Sequence, residues 1–345
     1  MTGRWYPTSV TRLVPLDTLP HTTRRLPRAQ WATGDLVVGI VSPDGPRPAL
    51  VESPNGRMVG AGPGDAVVGA LGTRAATLEA VGDWRDVGDD LRFNGLTSAG
   101  VFGRCTSRAV TLPPLVSYEY GGHVIHDGEP VRMADFVPPP PEDAARFALP
   151  TILLIGTSMD AGKTVAARTI IRRLKRRRLQ VAGAKLSGVG RYRDILRMQD
   201  AGADAIFDFV DAGLPSTICP QPKFERALRP LLARIGASGA DVLVAEAGAS
   251  PLEPYNGATV LRELGPTLRL VVLCASDPYA VVGVMEAFGL RPDLVSGRAT
   301  STEAGIVLVE RLAGIPALNM LDPETEAPLD ALLEERLAPV PAVTG

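Results

Sequence analysis

The apolar run Thr151-Ile-Leu-Leu-Ile155 passes directly into Gly156-Thr-Ser-Met-Asp-Ala-Gly-Lys-Thr164, and then into a helix-like stretch that ends in Arg172-Arg-Leu-Lys-Arg-Arg-Arg178. A strand feeding a glycine-containing turn that opens a helix is the setting in which backbone N–H groups and a helix N-terminus converge on a phosphate. Gly162 permits the tight turn, Lys163 has the reach and charge for β- and γ-phosphates, and the Thr164 hydroxyl suits Mg²⁺. The candidate nucleotide site is therefore Gly156, Thr157, Ser158, Met159, Asp160, Ala161, Gly162, Lys163 and Thr164. The spacing departs from the general pattern. Five residues separate Gly156 from Gly162, which leaves Thr157 where the first glycine usually stands. A strand-to-helix turn with an incidental lysine is the bland alternative, and it leaves the order strand, Gly-Lys-Thr, helix unexplained.

Beyond this segment, apolar strands continue to alternate with longer amphipathic stretches. The helix is expected over Lys163 to Arg178, and strands over Val181 to Leu186, Asp241 to Ala245 and Leu268 to Ala275. That alternation implies an α/β fold, a parallel sheet with helices on both faces and its ligand at the strands' C-terminal ends. Asp241-Val-Leu-Val-Ala-Glu246 reads as such a strand ending in a carboxylate near the metal. Ahead of Pro138 to Pro141 the grammar differs. Short strands are expected at Leu36 to Val41, Ala66 to Leu71, Ala75 to Val81, Val101 to Cys105 and Ser117 to Tyr120, with no long helical period among them. Such runs between Gly, Pro, Asn and Asp turns favour a small β-rich domain, a barrel or a sandwich. The expected organisation is a β-rich N-terminal domain over 1–137, a proline-rich linker over 138–149 and the phosphate-loop domain over 150–345.

Composition narrows the partners. With 36 Lys+Arg against 38 Asp+Glu the net charge is -2, so no global field favours nucleic acid or an anionic membrane. The cationic run Arg172 to Arg178 is read as a solvated helix end that suits the macrodipole. Three cysteines, Cys105, Cys219 and Cys274, form neither a disulfide framework nor a metal motif. With no run of about 18 apolar residues either, a cytoplasmic protein is expected. His21, His123 and His126 lack partners at metal spacing and are read as packing or surface residues, the latter two in a Gly-rich turn. Gly60 to Gly64 reads as a hairpin loop.

The segment Gly156 to Thr164 resembles the phosphate loop of dethiobiotin synthetase, G-T-x-x-x-x-G-K-T, with Asp160 at an acidic position, and the spacing is then regular. Val181-Ala-Gly-Ala-Lys-Leu-Ser-Gly188 looks like that family's V-A-G-x-K-P-x-x-S-G, two residues shorter, with Lys185 matching a lysine that binds substrate and phosphate. Asp194-Ile-Leu-Arg-Met-Gln199 is similar to D-A-L-x-L-Q and carries a metal role onto Asp194. Glu246-Ala-Gly-Ala-Ser250 stands where the family has E-G-A-G-G, which makes Glu246 a second Mg²⁺ carboxylate.

The resemblance spans about Pro150 to Met320. It implies catalytic roles for Lys163 and Lys185, metal binding by Thr164, Asp194 and Glu246, ATP and Mg²⁺ as cofactors, a small-molecule substrate and a homodimer. The implied activity is ATP-dependent phosphorylation or ligation of a small carboxylate or amine. The shortened lysine loop and the missing glycine pair after Glu246 both touch the substrate side, so the substrate itself does not carry over, and the family has no β-rich N-terminal half. Ser158 occupies the position of the signature lysine of partitioning and arsenite-type ATPases, which argues against a dimerising switch of that kind. Two other functions remain open: a P-loop acyltransferase like the amino-acid N-acetyltransferases, and a nucleotide-dependent switch acting on a protein partner.

Overall fold

A computed structural model describes residues 5–45, 48–142, 147–248 and 250–338. In the C-terminal half the apolar runs form a six-stranded parallel sheet in the order Ala205–Asp208, Val181–Ser187, Val242–Ala247, Thr151–Gly156, Leu268–Ala275, Leu294–Gly297. Side chains alternate across it. Ile152, Leu154, Val244 and Val272 pack with Ala166, Ile170 and Leu174 of the helix Lys163–Arg176 and with Leu329 and Leu333 of the helix Glu326–Leu337. Leu153, Ile155, Ala245 and Leu273 face the other way, toward Leu228 of Gln221–Gly236, Val260 of Gly257–Leu264, Val281 of Pro278–Phe288 and Val309 of Glu303–Ala313. Both faces are covered, as the run of buried strands implies, and the strands bearing Lys185 and Glu246 lie side by side next to the phosphate-loop strand.

The cationic run at the end of the Lys163–Arg176 helix is not merely a solvated end. Arg173 is buried and pairs with Glu326 and Asp330, Arg176 pairs with Glu326, and Arg177 with Glu334. The acidic face of the last helix supplies the partners, information that local periodicity does not carry. Among the described residues no helix is long and apolar enough to cross a membrane.

The N-terminal half closes into a five-stranded barrel. Leu36–Val41 pairs with Ala66–Leu71 and with Ser117–His126, Arg92–Gly95 bridges Ser117–His126 and Val101–Arg108, and Val101–Arg108 returns to Ala66–Leu71. Two hairpins project from it: Ala49–Glu52 with Met58–Ala61, and Thr73–Ala75 with Ala80–Asp83. The second corrects the expectation of one strand over Ala75 to Val81. Ala76 N–H donates to the Ala80 carbonyl and Glu79 N–H to that of Ala76, so residues 76–79 form the turn. His123 and His126 also lie in a strand, since Gly122, at φ 147, gives a register shift that lets the chain continue pairing past the two glycines. His123 is fully buried, sharing a 2.5 Å hydrogen bond with the Tyr120 hydroxyl.

Barrel residues Val10, Leu36 and Val38 join Phe209, Val210 and Leu214 of the sheet half in one apolar cluster. Arg12 crosses between the halves to Asp208 at 2.6 Å and Asp211 at 2.5 Å, and its guanidinium lies 4.5 Å from the centre of the Tyr192 ring. Prolines 138–141 carry neither helix nor strand. Residues 143–146 of the expected linker, Ala249 and residues 339–345 lie outside the described residues.

Candidate active site

The strand Thr151–Gly156 delivers the loop to the C-terminal edge of the sheet. Thr157 N–H donates to the Cys274 carbonyl at 3.0 Å, and its Oγ1 accepts from Ser276 N–H at 3.0 Å. Left-handed backbone occurs at Asp160 (φ 55) and Gly162 (φ 111), not at Thr157. No glycine is therefore required where the general motif has its first one; the threonine instead ties the loop to the neighbouring strand. Gly162 caps the helix Lys163–Arg176, and a Cβ there would stand 3.0 Å from the Cα of Gly297. Gly297 is itself left-handed at φ 96, and a Cβ on it would overlap the Ala161 carbonyl. Gly297→Ala therefore strains its own backbone and pushes a carbonyl with no flexible side chain to yield. It is expected to lower nucleotide affinity roughly tenfold and to cost about 1–3 kcal/mol of stability, read by calorimetric titration and a thermal melt.

Lys163 is buried, and its Nζ donates to the Ser158 carbonyl at 2.9 Å. Burial lowers its pKa, an effect that Glu246 opposes. Glu246 lies inside the strand Val242–Ala247, only 2% exposed, and its Oε1 is buried without a hydrogen-bond partner. Burial above all, then the neighbouring Asp194, pushes its pKa up to about 7, while Lys163, Lys185 and the Thr164 hydroxyl pull it down.

Lys185 lies opposite Glu246 in the strand register. Its Nζ is 2.5 Å from Asp194 Oδ2 and 3.4 Å from the Val189 carbonyl, and its stem runs beside Gly188, where a Cβ would come within 3.2 Å of Cε. Asp194 stands in the first turn of the helix Arg193–Asp200. Burial pushes its carboxyl up, but Lys185 and nearby arginines outweigh that and hold it below the usual range.

Met159, Asp160, Gly162, Lys163, Thr164, Lys185, Asp194 and Glu246 line one cavity. Gly156, Thr157, Ser158 and Ala161 lie outside that lining and shape the loop from behind. Glu79, Arg191, Arg197 and Tyr255 also line it, and none of them was singled out by the sequence. Arg197 lies inside the Asp194 to Gln199 motif and Arg191 three residues before it, whereas nothing local to Glu79 or Tyr255 marks them. A second, more apolar cavity shares Asp160, Gly162 and Val165 with the first and continues along Ser296, Gly297, Arg298 and Asn319. Among the described residues no three His, Cys, Asp or Glu side chains gather to hold a metal. The set Thr164, Asp194 and Glu246 instead offers a hydroxyl and two carboxylates, and the orphaned Glu246 oxygen fits a hard cation or its water.

No protein-family profile and no curated protein matches the chain. Among solved structures it is similar to HypB from Helicobacter pylori in complex with nickel, at 13% identity over 55% of this chain and 87% of that one, with a TM-score of 0.38. It is also similar to the signal recognition particle receptor FtsY from Elizabethkingia anophelis, at 12% identity over 54% of this chain and 61% of that one, TM-score 0.35. A DUF1611 family protein from Anabaena variabilis gives 17% identity over 57% of this chain and 63% of that one, TM-score 0.34.

Proposed function

We propose that the protein is a Mg²⁺-dependent enzyme that uses a nucleoside triphosphate, ATP in the first instance, to phosphorylate or ligate a small carboxylate or amine. The observation that carries this reading is the convergence of Lys163, Thr164, Lys185, Asp194 and Glu246 on one cavity beside the phosphate loop. Phosphoryl transfer asks a protein mainly for positioning and charge neutralisation. The loop N–H groups and Lys163 hold the phosphates, and the apolar second cavity suits the nucleoside end. Thr164, Asp194 and Glu246 would hold Mg²⁺, which when bound offsets charge on the β- and γ-oxygens. Lys185, now paired with Asp194, has the charge to follow the transferred group. A homodimer belongs to the same proposal.

A switch acting on a protein partner is the second reading. What favours it is that the N-terminal half grips the site: Glu52 Oε1 accepts from Arg193 N–H at 2.7 Å, at the start of the Asp194 helix.

Lys185→Ala separates chemistry from structure. It is expected to leave the affinity for Mg·ATP within about threefold and to lower turnover by roughly a hundredfold, because its charge acts mainly in the transition state. Asp194→Asn is expected instead to raise the Mg²⁺ concentration for half activity. ADP release and calorimetry read both. Unchanged turnover with a lowered melting temperature in Lys185→Ala makes the lysine structural and removes the transfer chemistry from this reading.

A further inference from the structure

We propose that the barrel half supplies the substrate-recognition wall of the cavity, with Glu79 as the residue that receives a primary ammonium group of the substrate. The proposal rests on the reading of a small-molecule enzyme above and names the chemistry that its substrate presents.

Glu79 ends the turn between Thr73–Ala75 and Ala80–Asp83, and this hairpin docks on the segment that follows the Glu246 strand. Ala75 N–H donates to the Tyr255 hydroxyl at 3.0 Å, and Thr77 N–H to Glu253 Oε1 at 3.0 Å. Behind Glu79 lies Arg74, only 3% exposed, which pairs with Glu79 Oε2, donates to the Leu96 carbonyl at 2.7 Å and touches Met159 Sδ at 3.7 Å. Among the described residues no hydrogen bond is made by the other Glu79 oxygen, on a side chain that lines the cavity. A guanidinium buried this deeply is costly unless it is paired, and the pairing holds the Glu79 carboxylate in place.

The rest of the cavity explains what such a carboxylate is for. Lys163, Lys185, Arg191 and Arg197 set four cations in the lining, where phosphates can meet them, among the carboxylates Asp160, Asp194, Glu246 and Glu79. A fixed anion facing bound phosphates is repelled by them unless a cation stands between. A primary ammonium on the substrate fills that place, with a charge-assisted hydrogen bond to Glu79.

The test uses the full chain, with and without saturating Mg·ADP, and three probes followed by saturation-transfer NMR: propylammonium, propionate and inorganic phosphate. Propylammonium is expected to bind saturably to the wild type and roughly tenfold more weakly to Glu79→Gln, with propionate and phosphate not weakened and Mg·ADP affinity within about twofold. Glu79→Gln leaves Arg74 buried without its counter-ion, so the Arg74→Met, Glu79→Gln double variant, which removes both charges, must give the same loss. No saturable propylammonium binding to the wild type, or binding to either variant as tight as to the wild type, reduces Glu79 to the counter-ion of Arg74 and overturns the proposal. Failure of Mg·ADP itself to bind is seen separately and strikes the preceding reading, while the probe titrations without nucleotide still decide on Glu79.

Discussion

Replacing Lys163 by alanine is expected to weaken binding of Mg·ATP and Mg·GTP by roughly 10²–10³-fold and to leave the fold intact. The ammonium is buried at the start of the helix Lys163–Arg176 and rests against the Ser158 carbonyl beside it, the neighbourhood proposed for the β- and γ-phosphates. Charge-assisted hydrogen bonds contribute about 1.5–3 kcal/mol each. Two of them therefore account for a loss of that size, at about 1.4 kcal/mol per factor of ten. The fold survives because the side chain stands at the N-terminal end of the helix, turned to the loop, and the sheet core is filled by Ile152, Leu153, Leu154 and Ile155. Desolvation already works against the charged form of Lys163, so its removal relieves a cost as well as losing contacts. Calorimetric titration with both nucleotides, beside a near-ultraviolet circular dichroism spectrum, checks the result. Unchanged affinity for both removes the phosphate site from this loop.

Much of the site was legible because its chemistry is local. Gly162, Lys163 and Thr164 are consecutive, and Lys185 and Glu246 sit at the ends of apolar runs whose length and burial the sequence declares. The strand Leu268–Ala275 has the bounds its residues imply, while the Glu246 strand runs to Ala247, placing that carboxylate within the sheet edge and not just past it. What could not be read is what arrives from elsewhere in the chain. Glu79 lies in Ala75-Ala-Thr-Leu-Glu-Ala-Val81, a run whose apolar residues suit a strand as well as a turn. Only pairing of Thr73–Ala75 with Ala80–Asp83 decides it, and only docking on Tyr255 aims the carboxylate. Likewise the arginines at the end of the phosphate-loop helix look solvated until the last helix brings Glu326, Asp330 and Glu334 beside them.

Glu246→Gln is expected to stabilise the metal-free protein at about pH 8 while removing nucleotide turnover, an opposition that a purely structural glutamate does not produce. In the folded chain the Glu246 carboxyl titrates at about 7 in place of the ordinary 4.5, chiefly because burial disfavours its charge. As pH rises between those values the unfolded chain gives up this proton and the folded chain keeps it, so stability falls across that window and levels off above about 7. The fall is on the order of 3 kcal/mol. Glutamine does not titrate, so the variant escapes it. Relative to wild type it should melt several degrees higher near pH 8, after some loss for seating an amide, and gain nothing near pH 4. With Mg²⁺ and nucleotide the order reverses. The orphaned Oε1 that makes the wild type unstable is the oxygen suited to a hard cation, and an amide is a poor substitute. The variant should therefore lose roughly a hundredfold or more in turnover and show little stabilisation by Mg·nucleotide, whereas the wild type gains most from it above about pH 7, where Glu246 is ionised. Melting curves across pH, with and without Mg·ADP, decide the matter. A variant less stable than wild type at every pH shows that Glu246 is held by its surroundings as a structural anion, and an unchanged Mg²⁺ requirement takes it out of the metal site.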